Sequence, residues 1–136
     1  MNRGRNSLRG LLVVAAWLLA APAPAGTPGS WSAHPGSVRV AGPDRFYAAP
    51  AAHPPPRARG HRIVRVRWHY RLPPGRETLV QLCTPTRCVP LTGSRGTDTA
   101  LAGADAGVPL RLRFRLPPGC DRSLRVRAAV VLVDYR

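Results

Sequence analysis

Two stretches of strict two-residue alternation constrain this chain more than any other feature. Val64, Val66, Trp68, Tyr70 and Leu72 share one parity, and Arg65, Arg67, His69 and Arg71 share the other. Leu110, Leu112, Phe114 and Leu116 alternate in the same way with Arg111, Arg113 and Arg115. Side chains along a strand point to opposite faces in turn, so each stretch reads as a strand with one apolar and one basic face. Pro73-Pro74-Gly75 and Pro117-Pro118-Gly119 close them as turns. Residues 78–83 form a further strand that enters the short loop Thr84-Pro85-Thr86-Arg87 and returns along Cys88-Val89-Pro90-Leu91. Pro90 lacks an N–H, which suits an edge strand of that hairpin. Residues 92–107 are punctuated by Gly and Asp and read as loop. Residues 123–135 are apolar at both parities near their end, as in a strand buried on both faces. No window after the N-terminus has helical spacing. Four or five longer strands with short turns predict an all-β fold, a single small antiparallel β-sandwich or open barrel.

The N-terminus carries a different signal. Arg3, Arg5 and Arg9 precede an unbroken apolar run over residues 11–21, and Ala23-Pro24-Ala25 offers small side chains after it. That order is a secretory signal peptide over residues 1–25. The run is too short for a membrane-spanning helix of about twenty residues, and no later segment is apolar enough to span a bilayer. The mature chain is therefore expected outside the cytoplasm, with no transmembrane segment. Residues 26–60 are rich in Pro, Gly and Ala; only Ser37-Val38-Arg39-Val40 suggests a short strand, and residues 48–59 read as an extended linker. The antiparallel β domain is expected over 61–136, with a modest core.

Charge and chemistry narrow the function. The formal net charge is +15, and all 21 basic residues are Arg. Such a domain suits nucleic acid, anionic lipid or an acidic partner. Arg without Lys beside 16 Pro and 13 Gly, however, matches the drift of a GC-rich genome. Arg alternating with apolar residues also describes a solvated sheet face. An exported protein does not ordinarily meet nucleic acid, and no nucleic-acid partner is expected. His34, His53, His61 and His69 lack ligand spacing, so no metal or cofactor is expected. No nucleophile elbow, paired carboxylates or phosphate-cradling Gly motif occurs, and no catalytic residue is nominated. Cys83 and Cys88 flank the hairpin turn, and in an oxidising compartment they read as a disulfide stabilising the fold by about 2 kcal/mol. A redox pair would normally be spaced C-x-x-C, and zinc would need two more ligands. Cys120 is left as a free thiol, an intermolecular partner or a competitor for one of the pair. Trp68 lies in a core register. Trp31 either caps the sheet or is an exposed aromatic anchor for a partner, with burial the expected outcome.

These residues together resemble the flagellar protein FlhE family. The resemblance runs through Gly29-Ser30-Trp31-Ser32, the strand with Trp68, Tyr70 and Leu72, and Leu82-Cys83 with Arg87-Cys88-Val89 and Leu91. It continues through Gly93, Gly96-Thr97, Pro109-Leu110-Arg111 and the terminal Asp134-Tyr135-Arg136. Cys120 and the long proline-rich segment 48–59 depart from the pattern. The resemblance implies a periplasmic accessory protein, not an enzyme, with a protein partner in the flagellar export or rod apparatus that it regulates as a chaperone or seal. The candidate partner-contact residues are Trp31, the hairpin tip Thr84, Pro85, Thr86 and Arg87, and the terminal Arg136.

Overall fold

The alternating parities become the inner faces of two packed sheets. The computed structural model describes residues 27–136, so the signal-peptide expectation at 1–25 lies outside the described residues. Eight strands follow in order: β1 (Gly29–Val40), β2 (Tyr47–Ala48), β3 (Ile63–Arg71), β4 (Leu79–Cys83), β5 (Cys88–Leu91), β6 (Arg95–Asp98), β7 (Arg111–Arg115) and β8 (Leu124–Tyr135). They form two four-stranded antiparallel sheets, β1-β8-β3-β6 and β2-β7-β4-β5. Of the two architectures expected, this is the sandwich. Val66, Trp68 and Tyr70 of β3 and Leu112 and Phe114 of β7 are buried between the sheets. The Tyr70 and Phe114 rings meet edge to face at 5.0 Å across that gap. No helix among the described residues is long and apolar enough to cross a membrane.

Four elements differ from the expectations, each for a physical reason. The first strand is not confined to residues 37–40 but spans Gly29–Val40 and pairs with β8 along its length. Its register shifts on both sides of Gly36, whose φ of 87° is open to glycine. The shift moves the buried set from odd positions (Trp31, Pro35) to even ones (Val40), which hides the alternation from a period-2 reading. Residues 48–59 are not a free linker. Ala49 N–H donates to Leu112 O, Ala52 exchanges both backbone bonds with Leu110, and Ala49, Ala52 and Ala58 are buried. Small side chains let this segment lie flat against the end of β7.

Within 92–107, which read as loop, β6 pairs with β3. Its Gly96 is required by close approach, since a Cβ there would stand 2.6 Å from the Trp68 ring. Finally, β8 is not buried on both faces. It buries Leu124 and Val126, then Ala129, Val131, Val133 and Tyr135, while Val130 and Leu132 stay half-exposed. The parity switch falls at Ala128, which has φ 52°, so one inward face occupies both parities.

Candidate functional site

Cys83 and Cys88 are directly opposed at the last rung of the β4–β5 hairpin and are disulfide-bonded, with Cα atoms 4.0 Å apart. Within the loop they close, Thr84 N–H donates to Arg87 O at 2.8 Å. The Thr84 hydroxyl accepts the N–H groups of Thr86 and Arg87 at 3.3 and 3.2 Å. Pro85, Thr86 and Arg87 are exposed. A four-residue tip thus leaves the sheet already ordered by a covalent clamp and a side-chain turn. Pro90 sits on β5, the edge of its sheet, as its missing N–H requires.

The Arg87 guanidinium donates to the carbonyl of Ala100 and so straps the tip to the loop 99–108. That loop is held in turn by the start of β3 and the residues just before it: Ile63 N–H donates to Ala104 O, Gly103 N–H to Ile63 O, and Ala106 N–H to His61 O, at 2.8–2.9 Å. Arg136 and Arg62 exchange both backbone hydrogen bonds beside it, at 3.0 and 2.8 Å. The structure therefore gathers the hairpin tip and Arg136 at one end of the sandwich, linked through a single loop. Trp31 belongs to the same end but not to its surface. It is 3% exposed, and its indole Nε1–H donates to Ala106 O at 3.1 Å. Trp31 is thus buried, as expected; as a candidate partner contact it is replaced by a strut beneath the loop, because β1 begins early enough to turn that ring inward.

Next to the tip, a groove of about 480 Å³ is lined by Ala48, the hairpin residues, Arg111 and Arg113. Phe46 lies under the guanidiniums of Arg113 and Arg115, at 5.8 and 4.7 Å from its ring centre. The sequence reading missed Phe46, because it sits in a segment lacking strand periodicity; its only signal is an aromatic pair, Phe46-Tyr47, within a Pro- and Ala-rich stretch. Both ion pairs among the described residues use one acid: Asp134 accepts from Arg65 at 2.6 Å and from Arg67 at 3.1 Å. The hydrogen bond from Arg65, helped by Arg67 and opposed by partial burial, holds the Asp134 carboxyl below the usual carboxylate range. Burial pushes the Tyr70 phenol up.

Other singled-out residues are architectural. The Gly93 carbonyl accepts both Trp68 Nε1–H and Tyr70 O–H, at 3.1 and 3.2 Å. Cys120 is a half-buried free thiol, 3.7 Å from an Arg76 guanidinium nitrogen. His61 packs on the Tyr135 ring. Among the described residues no three His, Cys, Asp or Glu side chains gather to hold a metal ion, and no polar or charged residue is buried. What the arrangement offers is guanidinium, hydroxyl and proline surface on a fixed frame.

Fold and site together define a small two-sheet β-sandwich whose disulfide-clamped hairpin and strapped loop form one preordered end. The sequence profile of the family described as "Flagellar protein FlhE" matches residues 38–136, and the chain belongs to that family. It is 39% identical over 75 residues to Flagellar protein FlhE of Escherichia coli (strain K12), covering 52% of this chain and 58% of that protein. It is 38% identical over 86 residues to the Yersinia enterocolitica protein of the same name, covering 55% and 56%. The chain thus spans less than two thirds of the length of these curated relatives. A crystal structure of FlhE superimposes with a TM-score of 0.66 at 30% identity, over 80% of this chain and 97% of that one.

Proposed function

We propose that this chain is a periplasmic flagellar accessory protein that binds a protein component of the flagellar export or rod apparatus and regulates it by recognition, chaperone-like or seal-like, without catalysis. Family membership supports the flagellar role, and the signal-peptide pattern of residues 1–25 supports the periplasm. The observation that carries the binding reading is the end built from Thr84–Arg87, the loop 99–108 and Arg136. Its exposed groups are held by a disulfide, the Thr84 turn and the Arg87 strap before any partner arrives. Preordering of this kind lowers the entropy lost on association. The test is deletion of the gene in its host with flagella imaged and swimming scored. Fewer, misplaced or periplasm-trapped filaments, restored by the intact gene, are expected. Normal filaments and normal swimming across growth conditions would contradict the role.

A further inference from the structure

The opposite end of β3 and β8 holds a second feature that the hairpin end does not explain. On the outer face of the β1-β8-β3-β6 sheet, Arg39 is paired in register with Arg125, and Arg71 with Arg127. Arg125 and Arg127 are two residues apart on β8, so all four exposed side chains share one face. Like charges directly opposed weaken a strand pair. The backbone here is also unfavourable, because Ala128, next to Arg127, holds φ 52° without being glycine.

Little near the quartet offsets its charge. Arg39 and Arg125 donate only to hydroxyls, of Ser123 at 3.3 Å and Ser37 at 3.2 Å. Asp134, the acid on this face of β8, lies at the other end of the strand and is held by Arg65 and Arg67. Asp121, in the exposed loop before β8, makes no ion pair with them among the described residues. Between Arg71, Arg125 and Arg127 opens a cavity of about 510 Å³, completed by Leu72, Pro73 and Ala128.

We propose that this cavity is a docking site for an acidic segment of a protein partner, which sets carboxylates on the guanidiniums and one apolar side chain against Leu72, Pro73 and Ala128. The planar guanidinium fork matches a carboxylate with two parallel hydrogen bonds. Guanidiniums two residues apart on a strand repeat at roughly 6.8 Å, the spacing of alternate side chains in an extended segment. A membrane surface fits this face less well. The large exposed apolar side chain of the described residues is Leu79, on β4 of the other sheet, so nothing here inserts into lipid. The site does not depend on the hairpin end or on the flagellar reading.

The test titrates a fluorescein-labelled peptide of about ten residues, with Glu at alternate positions and one central Leu, by anisotropy at low salt. The wild type is compared with Arg71→Ala/Arg127→Ala and with Arg59→Ala/Arg62→Ala, which removes equal charge from exposed positions elsewhere. The first variant is expected to lose tenfold or more in affinity, roughly, and the second less than about twofold. Equal losses would reduce binding to net charge and overturn the proposal, as would no measurable peptide binding. Binding to phosphatidylglycerol vesicles that the peptide fails to displace would overturn it in favour of a membrane. Near-ultraviolet circular dichroism and melting guard against misfolding. Relief of like-charge pairing should leave the melting temperature of Arg71→Ala/Arg127→Ala at or above that of the wild type, and a clear fall would count against the cramped quartet.

Discussion

Replacing Trp31 by Phe tests whether the N-terminal strand organises the hairpin end. The substitution keeps an aromatic ring in a position 3% exposed but removes the Nε1–H that binds Ala106 O at 3.1 Å. A buried carbonyl that loses its donor costs about 1–3 kcal/mol. In a domain near this size each kcal/mol lowers the melting temperature by about 4–8 °C, so a fall of roughly 4–24 °C is expected. The loss should also be local. Hydrogen exchange at Gly103 and Ala106, whose N–H groups bond Ile63 O and His61 O, should quicken by more than exchange at Tyr70 in β3. Trp31→Ala would add a cavity and cost about 3–5 kcal/mol in total. If Trp31→Phe changed neither the melting temperature nor exchange in 99–108, the strut would be refuted.

Three further outcomes rest on other contacts of the sandwich. Cys83→Ser/Cys88→Ser should cost about 2 kcal/mol in urea melts, by the loop-entropy estimate for so short a ring, and reductant should destabilise the wild type but not the variant. Gly96→Ala places a Cβ at 2.6 Å from the Trp68 ring, so it should cost about 1–3 kcal/mol and alter the near-ultraviolet tryptophan signal. Asp134→Asn removes both partly exposed ion pairs and should cost about 0.5–1 kcal/mol at neutral pH. Because the folded-state pKa of Asp134 is depressed, its contribution is present above the unfolded carboxyl pKa and lost as pH falls through the folded value. Urea melts of wild type and variant should therefore converge in strong acid.

Alternation made β7 legible, and β3 from Val66 to Tyr70, because one parity stays inward there. It was illegible where a bulge flips the inward parity. Gly36 does this in β1 and Ala128 in β8, and a period-2 reading then finds either no alternation or too much apolarity. The strand β6 was hidden for another reason: Arg95-Gly96-Thr97-Asp98 has almost no side chain to bury, and its place is set by the Trp68 ring that lies against Gly96. At the candidate site the disulfide hairpin could be read, since both cysteines and the turn are contiguous. The strap from Arg87 to Ala100 and the rungs Arg39–Arg125 and Arg71–Arg127 could not, because they join loops or strands brought together only by the topology.

Whether the hairpin end binds flagellar machinery is tested by a photocrosslinking amino acid placed at Thr86, the exposed hairpin tip, in the living host. Mass spectrometry would identify the adduct, with the same group at exposed Glu77, outside the hairpin, as the comparison. A crosslink from Thr86 to a component of the flagellar export or rod apparatus is expected, and none from Glu77. Flagella assembling normally while Thr86 captures no flagellar protein would contradict that binding.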